Sequence, residues 1–416
     1  MKNQDEIVVI GGGVIGISTA YYLKKQNLAV TLLEKNTICS GASHGNAGLI
    51  SCENFIPMAA PGAVKQGLRW LADADSPFSI KPRLDLDLLR WLIQFGAACR
   101  KKPMLKTLSV LKRMKEVGSG LFDELMSSHH IECDHDRKGR LVLYKDSAHF
   151  EEGIETARFL QEYGINSQIL DKTAVREKEP NLTSAVVGGI YYSEYVHVTP
   201  DRFVHSLARL VEEQGGILKT KTEVIGFETK GQRISKVITT RGDLYPDQVV
   251  LAAGAWSPIV GRDLGLKIPI QPAKGYSITV KRPDSCPGFS LDLADDKVAV
   301  TPMGDRLRFS STLELNGYDL SINRRRIAAT RRAVSSYLSG MEDLDLIEIW
   351  SGLRPNTPDT LPLIGRSKSF DNLILATGHD MLGMTHSLIT GKIVSQIIMN
   401  ETPVIDLAPF RPERFD

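Results

Sequence analysis

Arg354 lies in an apolar part of the sequence, directly before Pro355, and could bind an anion. Proline disfavours a helix at the preceding residue, so we expect Arg354 in an extended or turn conformation. A guanidinium among apolar groups is costly unless an anion pairs with it, and its planar fork fits a carboxylate through two hydrogen bonds. Arg354 therefore predicts either a site for a ligand carboxylate or a salt bridge with a nearby acid such as Asp359.

Two more side chains are candidates for the same site. Tyr276 could hydrogen-bond a carboxylate or close a pocket, but it could equally be a half-buried strand residue; Tyr318 is a weaker candidate for this role. His379 follows a glycine at the predicted start of a helix, and it could face a substrate or have a structural role. The sequence contains no Ser/His/Asp or paired-carboxylate constellation, and its five cysteines lack metal-ligand spacing, so no metal site is predicted.

The first thirty-four residues predict a nucleotide-binding unit. An apolar run ends at Gly11, Gly13 and Gly16, in the spacing G-x-G-x-x-G, and a second apolar run ends at Glu34. The first glycine permits a tight turn, the second lets the backbone approach a pyrophosphate, and the third lets the helix pack on the strand. The helix N-terminus can bind phosphates and Glu34 a ribose hydroxyl, so a dinucleotide is predicted. The motif alone would also allow NAD.

Two later segments, Val249–Gly254 and Leu373–Gly378, are also buried-type strands that run into a glycine turn. Such ends meet at the carboxyl edge of a parallel sheet, where ligands bind. Residues 266–315 alternate like antiparallel strands, and residues 84–127 predict two helices with a break near Lys101-Lys102-Pro103. The predicted fold class is α/β, with a Rossmann-like domain and a second α+β domain built on a mixed or antiparallel sheet. We assign residues 1–55, 171–262 and 349–416 to the first domain, and residues 56–170 and 263–348 to the second with its helical insertion.

Composition is typical of a globular protein. The 416 residues are 42% hydrophobic and 24% charged, with a net charge of +2 that gives no indication of a nucleic-acid partner. We expect a cytoplasmic protein, because the sequence shows neither a signal peptide nor an apolar run long enough to span a bilayer. Trp70, Trp91 and the basic run Arg100-Lys101-Lys102 could form a patch that contacts the inner face of a membrane, or could belong to helices packed on the nucleotide-binding domain.

The chain resembles the flavin-dependent amino-acid oxidoreductases related to D-amino acid oxidase, glycine oxidase and sarcosine oxidase, and within them the bacterial D-amino acid dehydrogenases. The resemblance covers nearly the whole chain and implies FAD as the cofactor and the fold inferred above. Beyond the first glycine motif it rests on six segments: Gly45–Ser51, Ser79–Leu84, Lys274–Ser277, Arg308–Glu314, Trp350–Pro355 and Thr377–His379.

The resemblance also implies roles for individual residues. Arg354 is expected to anchor the substrate carboxylate, with Tyr276 and His379 beside it. Some related enzymes attach the flavin to a histidine in the small-residue loop; here that position is Gly45 and His44 is one place away, so we expect non-covalent FAD. The residues expected to contact FAD are Gly11, Gly13, Val14, Ile15, Gly16, Glu34, Lys35, Ser43, His44, Asn46, Ala47, Gly48, Leu49, Val224, Ala253, Gly254, Trp256, Gly378, Leu382, Gly383, Met384 and Thr385.

The implied activity, in amino-acid catabolism, is oxidative deamination of D-amino acids or of cyclic relatives such as D-proline and hydroxyproline. Hydride transfer to flavin N5 would give an imine and then a 2-oxo acid, with electrons passing to a respiratory quinone or another acceptor. Positioning and desolvation can carry this chemistry, so a dedicated side-chain base need not exist. The alternative is an oxidase of glycine, sarcosine or another secondary amine that produces hydrogen peroxide. Arg354 argues against a third hypothesis, a non-catalytic flavoprotein subunit.

Overall fold

Two sheets organise the chain, in agreement with the predicted fold class. The structure is a computed structural model that describes residues 6–50, 56–71, 73 and 76–416. A six-stranded sheet is mostly parallel, and a larger mixed sheet is mostly antiparallel. The predicted Rossmann-like domain and α+β domain correspond to these two sheets.

The six-stranded sheet is parallel except for one edge strand, Leu363–Arg366. Both faces of its central strand are buried. Ile7 and Val9 face one hydrophobic core, and Val8 and Ile10 face another. Helices cover the first face and a β-hairpin covers the second, as expected for a sheet buried on both sides. The spatial order of the strands is Leu363–Arg366, Leu373–Thr377, Gln248–Leu251, Glu6–Ile10, Ala29–Leu33 and Ile217–Lys219.

Three glycine turns leave this sheet at one edge, as the sequence predicts. The central strand ends before Gly11, and its neighbours on one side end before Gly254 and Gly378. Gly11 has φ +116°, a conformation that L side chains rarely adopt. A Cβ atom at Gly16 would lie 1.9 Å from the carbonyl oxygen of Gly11, so the first helix can pack on the turn only with glycine there.

The larger sheet combines strands from distant parts of the chain. Its spatial order is Leu346–Asn356, Gln271–Lys281, Arg306–Leu315, Val298–Met303, Ser290–Leu293, Arg140–Tyr144, Gly188–Tyr192 and Gln168–Asp171, with Phe78–Ile80 added beside Arg306–Leu315. Strand Gly188–Tyr192 and the later residues of Leu346–Asn356, from 349 onwards, lie in ranges that we assigned to the nucleotide-binding domain. Both strands pair with the larger sheet, so the assigned ranges and the two sheets do not coincide at these places.

The remaining elements follow the predicted pattern closely. The break in the helical insertion falls between Ala98 and Lys101, and Pro103 lies in the first turn of the second helix, where a missing N–H is tolerated. The helices are Val14–Lys25, Ala63–Leu71, Leu86–Ala98, Lys101–Ser128, Ser147–Gln161, Lys172–Lys178, Pro200–Glu213, Ser257–Arg262, Arg324–Tyr337 and Gly383–Ile398, with short 3-10 turns at Gly254–Trp256 and Ala408–Phe410. Two-stranded pairs form between Val224–Lys230 and Arg233–Thr239, and between Leu49–Ile50 and Val196–His197.

The two helices of the insertion pack on different units. Leu88 and Trp91 of the first helix contact the larger sheet, and the Trp91 indole N–H donates to the Asn356 carbonyl at 2.9 Å. The second helix, Lys101–Ser128, shares a core with the last helix, Gly383–Ile398. The expectation that both helices lie on the nucleotide-binding domain is therefore correct only for the second. Among the described residues, no helix combines the length and the apolar character needed to cross a bilayer.

Candidate functional site

A cavity of about 1520 Å³ lies between the glycine edge of the parallel sheet and the larger sheet. Pockets for drug-sized ligands measure about 300–1,000 Å³, so this space is large enough for an extended cofactor together with a small substrate. Both units contribute to its wall, and the cavity joins the nucleotide-binding motif to Arg354.

The nucleotide end of the cavity is formed by the first glycine turn and by Glu34. The Glu34 carboxylate accepts hydrogen bonds from the backbone N–H groups of Gly12, at 2.7 Å, and Asn36, at 2.8 Å. These bonds fix the carboxylate at the cavity wall, where its other lone pairs can accept from hydroxyl groups. Nearby, the Lys35 ammonium lies 4.4 Å from the ring centroid of Trp256 and restricts that ring by a cation–π contact.

The small-residue loop around residues 40–50 is held by both units. The Val14 N–H at the start of the first helix donates to the Ser43 hydroxyl at 3.0 Å. From the larger sheet, the guanidinium of Arg308 donates to the carbonyls of His44, at 2.6 Å, and Asn46, at 3.0 Å. The Thr385 hydroxyl of the last helix donates to the Leu49 carbonyl at 3.1 Å. The loop backbone therefore has little freedom.

Arg308 is a residue whose role the sequence reasoning missed. It is 1% exposed, and its third contact is to the Thr279 hydroxyl at 3.1 Å. Burial lowers the pKa of its guanidinium, and the charges of Asp201 and Glu348 act in the opposite direction. An arginine in the middle of an apolar strand was a usable signal, since such a cation must find acceptors.

Arg354 reaches the cavity through a local irregularity of the larger sheet. Its Nη1 donates to the Thr312 carbonyl at 2.8 Å, and a Cβ at Gly275 would lie only 2.3 Å from the same nitrogen. Thr312 has φ +70°, a strained conformation for a β-branched residue, at a register shift between the two paired strands. Gly275 gives the guanidinium space, and Thr312 orients it.

The surroundings of Arg354 leave most of its donors available to a ligand. Burial lowers the pKa of the guanidinium, while the charge of Asp380 raises it. Among the described residues, no carboxylate hydrogen-bonds to it. The alternative partner predicted from the sequence, Asp359, instead binds Arg414 through two contacts of 2.8 Å. Asp359 is therefore not the partner of Arg354.

Asp380 is an unusual neighbour of Arg354 in the cavity wall. It is 5% exposed, and neither of its carboxylate oxygens has a hydrogen-bond partner among the described residues. Burial raises the pKa of Asp380 to about 6, against the opposing effects of the Arg354 charge and the adjacent Met381 N–H. An acid directly after Gly378-His379, at the end of a buried strand, was the signal that sequence reasoning left without a role.

Tyr276 lines the cavity, but its hydroxyl points into a buried polar network. The hydroxyl donates to the Glu314 carboxylate at 2.9 Å, and Glu314 also pairs with the Lys274 ammonium at 3.1 Å. Tyr276, Lys274 and Glu314 are all about 2% exposed. These contacts favour the buried-strand interpretation of Tyr276 over direct carboxylate binding.

His379 and Tyr318 are similarly occupied. The His379 imidazole shares a hydrogen bond of 2.9 Å with the Thr390 hydroxyl of the last helix, and burial lowers its pKa to about 3, so the ring is neutral. The Tyr318 hydroxyl donates to the Ala255 carbonyl at 3.0 Å, next to Trp256. Of the two roles left open for His379, these contacts favour the structural one.

His44 and Gly45 have separate roles in the small-residue loop. The His44 Nε2 lies 2.9 Å from a carboxylate oxygen of Glu348, and its imidazole is 6.0 Å from the Trp350 indole. A Cβ at Gly45 would lie 1.9 Å from the Trp350 ring, so glycine is required there for packing. One nitrogen of the His44 ring is thus engaged by a carboxylate.

The structure brings most of the predicted residues to the cavity. Five residues that we expected to contact the cofactor do not line the cavity. Those with described contacts pack against neighbouring groups or hold the loop backbone in place. These five are Gly16, His44, Gly48, Gly378 and Thr385. The predicted residues that line it are Gly11, Gly13, Val14, Ile15, Glu34, Lys35, Ser43, Asn46, Ala47, Leu49, Val224, Ala253, Gly254, Trp256, Leu382, Gly383 and Met384, together with Arg354, Tyr276 and His379.

These features fit a bound FAD. The cavity is large enough to hold a dinucleotide, its glycine turn has the backbone conformation that permits close approach, and a fixed carboxylate stands at the ribose end. The described residues contain no cluster of three or more potential metal ligands.

Comparisons with known proteins agree with this geometry. The sequence pattern of the FAD dependent oxidoreductase family matches residues 6–397. A D-amino acid dehydrogenase of Granulibacter bethesdensis is 32% identical over 415 residues, covering 98% of this chain and 99% of the relative. A D-amino acid dehydrogenase of Helicobacter pylori is 32% identical over 393 residues, covering 94% of each chain.

Solved structures show the same fold. Glycine oxidase from Geobacillus kaustophilus superposes with a TM-score of 0.76 and 24% identity, covering 99% of both chains. L-proline dehydrogenase from P. horikoshii superposes with a TM-score of 0.75 and 20% identity, covering 100% of this chain and 98% of the other. With the glycine turn, the fixed Glu34 and a family match over nearly the whole chain, the protein belongs to the FAD-dependent oxidoreductases and uses FAD as its cofactor.

Proposed function

We propose that the protein is an FAD-dependent D-amino acid dehydrogenase, which converts D-amino acids or cyclic relatives such as D-proline to imines that hydrolyse to 2-oxo acids. The observation that carries this proposal is Arg354, a desolvated guanidinium that faces the cofactor cavity without a described carboxylate partner. Such a group fits a substrate carboxylate. Relatives that carry the name D-amino acid dehydrogenase at 32% identity support the choice of substrate class.

The cofactor is held without a covalent bond in this proposal. Gly11, Gly13 and Val14 would contact the pyrophosphate, and Glu34 the adenosine ribose, as their position in the cavity wall allows. The loop of residues 43–49 would line the flavin side, with its backbone fixed by Arg308. Non-covalent attachment is supported by the hydrogen bond between His44 and Glu348.

Bound FAD supplies the two-electron acceptor for a hydride from the substrate carbon. The protein contributes orientation and desolvation. Arg354 would hold the carboxylate at a fixed place, while the apolar cavity wall excludes water and strengthens each charge contact. The N-terminus of the helix Gly383–Ile398 opens onto the same cavity and would stabilise negative charge that develops there.

An exposed apolar surface next to the cavity supports a lipophilic electron acceptor. Five exposed leucines between residues 68 and 89 would form this surface, which we call the apolar rim: Leu68, Leu71, Leu84, Leu86 and Leu89. Leu68 is 65% exposed, and it also lines the cavity. The helix Ala63–Leu71 buries none of its residues, which is unusual for an element with a strongly apolar face. We infer that a membrane quinone approaches here while the rim contacts the lipid surface.

Anaerobic bleaching of the flavin across D- and L-amino acids, glycine, sarcosine and both hydroxyproline epimers tests the function. We expect D-amino acids or D-proline-type compounds to bleach the flavin at least tenfold faster than their L-enantiomers. Electron output to a quinone or dye should exceed hydrogen peroxide output in air. Preferred oxidation of glycine or sarcosine with stoichiometric peroxide would establish the oxidase alternative instead, and no bleaching by any amine would refute both.

Replacing Arg354 tests the carboxylate anchor. Lysine retains the charge but cannot make two parallel hydrogen bonds, so we expect kcat/KM to fall on the order of 10-fold in Arg354→Lys. Methionine removes the charge and the hydrogen bonds, so we expect a fall on the order of 10²–10³-fold in Arg354→Met. The loss should appear mainly in KM, with FAD retained. Arg306→Lys, on the same sheet but paired with Asp201, serves as the control. Equal kinetics in all three variants would contradict the assignment.

Replacing Arg308 tests how the cofactor loop is held. Arg308→Met would leave the carbonyls of His44 and Asn46 without their donors, at about 1–3 kcal/mol for each buried group. We expect purified Arg308→Met to contain less than half the FAD of the native protein and to regain it only at high added FAD. Arg306→Met, two residues away on the same strand, is the matched control. Full cofactor content in Arg308→Met would show that the loop holds its conformation without the arginine.

Polar substitutions in the apolar rim test the acceptor surface. We expect the triple variant Leu84→Ser, Leu86→Ser and Leu89→Ser to bind anionic lipid vesicles on the order of tenfold more weakly, because each leucine contributes up to about 1.5 kcal/mol on burial. Reduction of a water-soluble dye should not change. Ile217→Ser, an exposed residue on the far edge of the parallel sheet, is the control. Unchanged vesicle binding in the triple variant would rule out this surface.

A further inference from the structure

Asp380 carries a buried negative charge that nothing in the described protein neutralises directly. Both of its carboxylate oxygens lack a hydrogen-bond partner, although the residue is 5% exposed. A buried acceptor without a partner costs about 1–3 kcal/mol, and more for a charged group. Such a group in a cavity wall is best explained by a ligand that supplies the missing donors.

The backbone fixes where this carboxylate stands. Asp380 has φ +49°, in the left-handed region that aspartate tolerates better than most side chains, and its N–H donates to the Pro355 carbonyl at 3.1 Å. Pro355 follows Arg354 directly. The same backbone contact therefore sets the spacing between the guanidinium and the carboxylate.

The charges around Asp380 come from few groups. Arg354 is the cation that acts on it, and no hydrogen bond joins the two. The two histidines of the adjoining segments are neutral, since burial lowers the pKa of His379 to about 3 and that of His386 to about 4. Tyr276 faces the cavity from the larger sheet, with its hydroxyl bound to Glu314. This part of the cavity wall thus presents Arg354 and Asp380, two opposite charges that do not hydrogen-bond to each other.

We propose that Asp380 binds the ammonium group of the substrate and accepts one of its protons, while Arg354 binds the substrate carboxylate. This inference rests on the proposed amino-acid substrate and adds the residue that recognises the amine. A zwitterionic α-amino acid supplies both charges at neighbouring positions, and so satisfies both groups at once.

The proton transfer balances without any further reactant. One N–H bond of the ammonium breaks, its electron pair stays on nitrogen, and an O–H bond forms on Asp380. Nothing is oxidised in this step. The neutral amine then has the free electron pair that oxidation to an imine requires, and FAD would accept the two electrons released. A carboxyl group with a raised pKa, here about 6, suits a base that works near neutral pH.

Kinetics across pH 5 to 10 test the proposal with Asp380→Asn and Asp380→Gly. Both remove the charge, and both tolerate the left-handed backbone. For the native protein, kcat/KM should rise about tenfold per pH unit up to about pH 6 and then level off. In both variants we expect this rise, the acidic limb of the pH profile, to vanish. We also expect kcat/KM at pH 7 to fall about 10²–10⁴-fold, and the pH optimum to move up towards the pKa of the substrate amine. A limb that persists in the variants, with kcat/KM within threefold of native, would overturn the proposal.

Equilibrium binding gives a second readout that a merely structural role would not produce. Propionate is D-alanine without its amino group, and an ionised Asp380 should repel it. We expect Asp380→Asn to bind propionate more tightly than the native protein and D-alanine more weakly, as followed by changes in the flavin spectrum under anaerobic conditions. Changes in the same direction for both ligands would overturn the proposal.

Two comparisons distinguish this role of Asp380 from a general charge effect and from a contact with the cofactor alone. Asp371→Asn removes an exposed carboxylate whose charge acts on Arg366 outside the cavity, and it should leave the pH profile unchanged. If Asp380 contacted only the cofactor, its variants would change FAD affinity or reduction potential and would keep the limb, which would refute the inference. Failure of the native protein to oxidise any amino acid would instead refute the proposed function, because that result does not depend on Asp380.

Discussion

The structure depends on keeping two opposite charges, Arg354 and Asp380, in the wall of one cavity. Neither is neutralised by a direct contact with the other, and burial shifts the pKa of each towards its uncharged form. Moving an isolated charge out of water raises the free energy of the folded protein, and packing alone does not offset that increase. The rest of the fold must therefore hold these groups rigidly enough that they do not collapse onto each other or turn towards solvent.

Rigid placement comes from the backbone of the larger sheet and not from side-chain packing. Arg354 is oriented by the carbonyl of Thr312, a β-branched residue at φ +70°, and is given room by Gly275 on the neighbouring strand. On the same two strands, Lys274 and Glu314 form an ion pair, and Glu314 also accepts a hydrogen bond from Tyr276. A bonded network of this kind stiffens the sheet at the place where a strained residue would otherwise relax, which explains why so much charge is buried beside the cavity.

Local patterns in the sequence predicted the nucleotide end well, because glycine turns and Glu34 act within one short strand–helix–strand unit. Arg354 was also predictable, since an arginine before proline in an apolar segment needs an anion to pair with. What the sequence could not reveal depends on distant pairing. Asp359, one candidate partner of Arg354, binds Arg414 instead, and strand Gly188–Tyr192 pairs with Arg140–Tyr144 of the larger sheet. For Tyr276 the sequence favoured neither carboxylate binding nor a buried-strand role, and only the position of Glu314 distinguishes them.

The two units contribute different parts of the site, and the chain crosses between their sheets several times. The parallel sheet supplies a generic nucleotide site, whereas the larger sheet supplies Arg354 and, through Arg308, fixes the loop that lies between them. Asp380 follows a strand of the parallel sheet, yet its N–H bonds to Pro355 of the larger one. The binding of a ligand that must satisfy Arg354 and Asp380 together therefore depends on the relative position of the two sheets. In the proposed binding mode, selectivity for a group that carries both a carboxylate and an amine follows from the way the units are joined. A simple carboxylic acid would leave the Asp380 charge buried and unpaired, and a hydroxy acid would offer it a neutral hydroxyl donor without a countercharge.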